Sequence, residues 1–344
     1  MRSRISALPL ALAFSLCAWQ SHAQETYTLT KIEGLTFFGD LNNRGVVVGA
    51  TRAANGAQHA AVWERGRLTD VHDRIDSSAV ETDLRDVNDK LDMVGTLVNP
   101  NFQGFLLSGR RVTRIGPLPG DDFSFAFGLN DRRQVIGNSS GASGSRQFVW
   151  EGGRFTIHEG LTGQTFGIER VGIQDRGIVA GSDNLARRAV IWQNDTVMDI
   201  GGLPGSSRNL AGAINDRGQV AGQSILSDPD VFPQQVTAFI WKDGVVRALP
   251  PLFDAVTESH VTSINKHGVV VGESLAEGAE EATPTIWQDG AAYDLNQLID
   301  PNDPLAATVT LDSAGAINDL GQIVAVSNDP DLGVTEFYLL TPVR

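Results

Sequence analysis

Ile214-Asn215-Asp216-Arg217-Gly218-Gln219-Val220-Ala221-Gly222 is the stretch whose reading decides the fold. An apolar residue runs into Asn-Asp-x-Gly and leaves in an apolar, strand-forming run, the signature of a hairpin. Asn and Asp satisfy turn backbone with their side chains, and the glycine takes the positive φ that a bulged loop demands. Related nonapeptides begin at Leu41, Val87, Leu129, Ile173, Ile264 and Ile317, so the unit occurs seven times. Its second residue gives the markers Asn42, Asn88, Asn130, Gln174, Asn215, Asn265 and Asn318, spaced by 46, 42, 44, 41, 50 and 53 residues.

About twenty residues after most turns comes a second hairpin, built on Val62-Trp63, Val149-Trp150, Ile191-Trp192, Ile240-Trp241 and Ile286-Trp287, with Leu106-Leu107 in the second unit. Two hairpins per unit make four short antiparallel strands, the content of one β-propeller blade. No segment has a sustained helical period, which excludes helical solenoids. The expected fold is therefore all-β, a seven-bladed propeller with blades near 35–72, 82–115, 123–158, 168–200, 209–249, 259–295 and 312–340. The last unit stops after three strands, and residues 26–32 supply the missing fourth, so that pairing the two ends removes the exposed edges. The five repeat tryptophans read as packing between blades, each burying roughly 200 Å².

Residues 1–23 read as a cleaved signal peptide: Arg2 and Arg4, an apolar run, then Ser21-His22-Ala23. The domain is expected over 24–344, secreted or periplasmic. The lone cysteine, Cys17, falls inside that leader, which leaves no disulfide or thiol chemistry in the exported part. No later apolar run is long enough to cross a membrane as a helix, so membrane insertion is not expected. Losing two arginines takes the net charge from −14 to −16. Clustered Lys and Arg are missing, so nucleic acid is a poor partner. A monomer binding a protein or polysaccharide is the expectation.

The repeat resembles that of bacterial extracellular HAF repeat proteins, whose hairpins read Ile-Asn-Asp-x-Gly-x-Val-x-Gly. The likeness spans residues 27 to 340. The eponymous His-Ala-Phe triplet has decayed to His59-Ala60-Ala61 and Thr237-Ala238-Phe239. The resemblance implies a propeller-like fold and export but no activity.

Length variation marks the links between second and third strands, and between successive units, as the working face. Asp83, Glu169 and Asp312 fall near the entry of innermost strands, with Arg85 and Arg170 beside the first two. Together with His260 they are weak candidates for catalysis, and the two arginines for ligand binding. Paired carboxyls at such a mouth would suit glycoside hydrolysis or lyase chemistry. His59, His72, His158 and His260 map to the same face, but their spacing enforces no metal site, and no cofactor is expected. The stretches Asp228-Pro229-Asp230 and Asp329-Pro330-Asp331 do not complete a calcium loop. Gly137-Asn138-Ser139-Ser140-Gly141 mimics an esterase elbow but reads as a Gly/Ser loop with no helix to follow. A binding scaffold is the first reading and an exported polysaccharide-active enzyme the second.

Overall fold

The computed structural model describes residues 25–142, 144–163, 172–194, 196–226, 235–329 and 334–343, and their regular structure is β-strand apart from the short helices His72–Asp76 and Leu295–Leu298. Within a unit the strands lie in sequence order, as in Phe123–Leu129, Val135–Gly141, Gly144–Glu151 and Arg154–His158. Every such neighbour pair is antiparallel. The first strand of each unit lies innermost, and residues from all seven units line one central channel.

The two ends of the chain meet as expected. Tyr27–Lys31 pairs antiparallel with Val334–Pro342, in a register that sets Tyr27 opposite Pro342 and Lys31 opposite Tyr338. Lys31 Nζ then reaches Glu336 at 2.6 Å.

The expected seven separate blades are not what the chain forms. Among the described residues five sheets have the size of one blade, four of them four-stranded and one five-stranded. The sixth sheet has eight strands and spans units five and six. A parallel bridge between Val236 and Glu258 fuses them, because the third strand of unit five runs beside the innermost strand of unit six, Val256–Ile264. A count based on turns cannot see a bridge between outer and inner strands of neighbouring units. The Gly137–Gly141 motif is also corrected: it lies in the strand Val135–Gly141, where Ser139 is buried and its hydroxyl donates to Asp121.

The core is distributed, with apolar clusters within and between units. Trp63, Trp150, Trp192, Trp241 and Trp287 are all buried. Trp63 packs with Val324 and Leu339 of the last unit, and Trp287 with Ala221 and Ala238 of unit five. Wedging indoles between units in this way removes large apolar areas from water, worth about 2 to 3 kcal/mol each.

The turns are cross-linked by a ring of side-chain amides. Asn42 Nδ2 donates to the Asn88 carbonyl at 3.0 Å, Asn88 to that of Asn130 at 3.1 Å, and Asn130 to that of Gln174 at 3.1 Å. Asn215 donates to Asn265 at 2.8 Å, Asn265 to Asn318 at 3.2 Å, and Asn318 back to Asn42 at 3.0 Å. Each Oδ1 meanwhile accepts two amides of its own turn, as Asn42 does from Arg44 and Val46. Gln174 breaks the series: its Oε1 braces Arg176, but its buried Nε2 has no partner.

Candidate binding site at the central channel

The channel has a volume of about 390 Å³. At the turn end it is rimmed by a second set of links, in which backbone amides of one turn donate to side-chain oxygens, mostly carboxylates, of the next. Asn43 donates to Asp89 at 2.8 Å, Asp89 to Asp131 at 3.2 Å, Asp131 to Asp175 at 2.9 Å and Asp175 to Asp216 at 2.8 Å. Lys266 donates to Asp319 at 2.8 Å, and Asp319 to Asn43 Oδ1 at 2.6 Å. Burial, and then the charge of neighbouring Asp175, pushes the Asp131 carboxyl above its ordinary range. Asp216 is raised by burial and by Asp175 and Asp319, although the Asp175 amide opposes the shift. Lys266 interrupts the acids and reaches Asp319 at 3.3 Å.

Deeper in the channel two carboxyls face each other, Asp40 from unit one and Asp86 from unit two. Both keep some surface open to the channel yet are ringed by protein. Burial, reinforced by the charge of Asp86 and the hydrogen bond between them, holds Asp40 well above the usual carboxylate range. Burial raises Asp86 too, but its hydrogen bonds, including the Leu129 amide at 2.7 Å, favour its charged form. The hydrogen bonds that favour charged Asp86 leave Asp40 the more readily protonated of the two. The same place is Gly128, Gly172, Ala213, Ser263 and Ala316 in the other units, so a carboxylate here is specific to units one and two. That comparison across repeats was the signal available in the sequence.

The innermost strand of unit three shapes the opposite end. In Phe123–Leu129 the aromatics alternate with small residues. Ser124 and Ala126 are the buried members: Ser124 Oγ donates to the Ile115 carbonyl and accepts the Gly104 amide, and Gly104 lies close against Ala126. Phe123 and Phe125 alternate with these and turn the other way, and a bulge between Ala126 and Gly128 keeps Phe127 beside Phe125. Phe125 and Phe127 stack with centroids 6.4 Å apart and planes at 6°. Phe102 completes the run, 5.4 Å from Phe125 and 6.2 Å from Phe123. Phe102 and Phe123 are 44% and 36% exposed, whereas Phe127 lines the channel, so the rings form a path from surface to lumen. Sequence reading passed over this path because alternating aromatics ordinarily signal the core face.

Of the sequence candidates, Arg85 lines the channel and lies over the Phe37 ring at 4.4 Å. Asp83 holds Arg85 through Oδ2, at 3.0 Å from Nε and 2.7 Å from Nη2, and its Oδ1 accepts the Thr96 amide. His260 Nε2 lies 2.9 Å from Glu258. Asp312 accepts the Asn328 amide. Asp83, His260 and Asp312 are each engaged inside their own unit, and among the described residues no hydrogen bond or ion pair joins these three to one another; Arg85 reaches across to unit one at Phe37. Glu169, Arg170 and the Asp228-Pro229-Asp230 stretch lie outside the described residues. Among the described residues no group of three His, Cys, Asp or Glu side chains is placed to hold a metal. His59 and His72 do come together, stacked at 3.8 Å and braced by Asp70 and Thr82. Burial first, and then the neighbouring His59, lowers the His72 pKa.

No family model and no curated protein matches the chain, so the HAF resemblance rests on the repeat itself. Solved structures do match. A virginiamycin B lyase from Staphylococcus aureus, in a catalytically inactive form with quinupristin, is 10% identical with a TM-score of 0.56, over 92% of this chain and 100% of that one. An oligogalacturonate lyase from Vibrio parahaemolyticus is 11% identical with a TM-score of 0.58, over 92% and 91%. A puromycin-hydrolyzing peptidase from Mycobacterium tuberculosis is 11% identical with a TM-score of 0.57, over 92% of this chain and 52% of that one. The chain has a β-propeller arrangement, and at such identities the likeness extends to fold alone.

Proposed function

We propose that the protein is a secreted or periplasmic binding propeller that takes a polysaccharide chain end at the aromatic mouth of its channel. The observation that carries this reading is the inverted strand Phe123–Leu129, which buries its small residues and presents its phenylalanines. Exposing large apolar rings opposes folding, so a run of them signals a surface kept for a ligand. Sugar rings offer apolar faces for such rings to stack on, and Arg85, oriented by Asp83, adds fixed donors at the channel wall. The decisive experiment is a polysaccharide array followed by titration of the best ligand. Phe102→Ala and Phe123→Ala are each expected to weaken binding about fivefold, from about 1 kcal/mol per aromatic contact. Unchanged affinity in both variants would overturn the proposal.

The Asp40–Asp86 pair favours a second reading, an exported polysaccharide-active enzyme. A carboxylic acid beside a carboxylate places a proton donor next to a base. Direct hydrogen bonding makes the pair closer than the roughly 5 to 10 Å used by glycoside hydrolases, which leaves lyase-type chemistry as the better fit. Release of new chain ends that disappears in Asp86→Asn would establish this reading; binding without turnover would exclude it.

A further inference from the structure

We propose an oxyanion site on the turn face, in the cleft between units three and four, outside the rim of the channel. The cleft has a volume of about 390 Å³ and is walled by Arg132 from the turn of unit three, Arg154 from its outer hairpin, and Arg176 from the turn of unit four. Trp192 and His158, stacked at 5.1 Å with planes at 2°, form its floor.

Three guanidinium groups at one cleft are out of keeping with a chain of 41 acids and 27 bases. Several arginines elsewhere are held by carboxylates: Arg85 by Asp83, Arg114 by Asp76, Arg133 by Asp92 and Arg146 by Asp121. None of the cleft arginines belongs to an ion pair among the described residues. Arg176 only donates to the Asp216 carbonyl at 3.2 Å. Among the described residues the one carboxylate lining the cleft, Glu151, accepts from Gln134 at 3.1 Å. Three guanidinium groups against one carboxylate leave the cleft net positive, which a bound anion relieves.

Guanidinium forks match the spacing of oxygens on carboxylates and phosphates. A carboxylate offers two oxygens in one plane and satisfies one fork. Three arginines arriving from three separate turns fit better to a tetrahedral dianion, a phosphate or sulfate, free or as an ester.

Calorimetric titration of the full chain with inorganic phosphate, inorganic sulfate, a sugar phosphate and acetate tests this. Saturable binding of the tetrahedral anions is expected, at least tenfold tighter than acetate, and weakening steeply with added salt. Arg132→Gln, Arg154→Gln and Arg176→Gln should each lower affinity about tenfold with an unchanged Tm, because all three side chains are exposed. Arg217→Gln, in the turn of unit five, should leave it intact. Tighter binding of the sugar phosphate than of inorganic phosphate identifies the ligand as an ester, and the reverse order identifies the free ion. Absence of saturable binding, or losses equal to those of Arg217→Gln, would overturn the site.

Discussion

Asparagine at the second place of each turn has two separate duties. Its carbonyl oxygen braces its own turn, and its amide nitrogen links to the next unit, so both ends are satisfied in a buried place. Asn130→Ala leaves the Arg132 and Gln134 amides without partners and removes one of the two donors to the Gln174 carbonyl, and is expected to cost about 2 to 4 kcal/mol in urea unfolding. Gln174 is one methylene longer, and its amide misses the linkage the six asparagines make. Gln174→Asn is expected to stabilise by about 1 kcal/mol, measured the same way. The first duty was legible from the turn chemistry alone. The second was not, because it depends on curvature that brings successive turns within 3 Å of one another. Asp40 illustrates a penalty of the same environment. Its raised pKa contributes stability that is complete below about pH 4 and is lost as pH rises. Asp40→Asn should therefore raise Tm at pH 7 and converge on the parent near pH 4.

At the scale of the strand, the Phe123–Leu129 segment shows how period and polarity are separate signals. Its period of two was readable as a strand, but which face looks inward depended on how much room the neighbouring unit leaves. Gly104 approaches Ala126 closely, so only small residues fit on that side, and the phenylalanines take the other, where Phe127 lines the channel. Ala126→Leu is expected to cost about 1 to 3 kcal/mol by overpacking, whereas Phe123→Ala should change stability little while lowering ligand affinity. The opposite result, a large stability loss for Phe123→Ala, would make that ring part of the core. The fusion of units five and six was hidden for a related reason: Val236 and Glu258 pair through backbone, and backbone pairing between units leaves no residue signature.

Over the whole molecule, two sets of acids act in opposite directions. Asp131 and Asp216 are raised mainly by burial, so the stability they contribute is lost as pH climbs through the carboxylate range. Asp76 is lowered to about 2 by hydrogen bonds from Ser78, and Arg133 and Arg146 help lower Asp92 and Asp121; what these groups contribute is lost as pH falls below about 4. A Tm maximum on the acid side of neutrality is expected, with added salt raising Tm at pH 8 by screening the rim. A Tm that rises steadily from pH 5 to 9 would contradict this. The acidic composition was plain from the sequence, but its gathering at one rim was not, since the contributing residues lie 41 to 44 positions apart along the first four acidic turns.

Tyr27 lies opposite Pro342 in one antiparallel pair, so the first and last described strands end side by side. The amide ring likewise makes no distinction between its internal steps and the step from Asn318 to Asn42, where the chain itself is not continuous. Position around the ring is thus independent of position along the gene. A short peptide joining the two ends, with new termini opened at the exposed Lys242-Asp243-Gly244 turn, should yield a circular permutant with the same sheets.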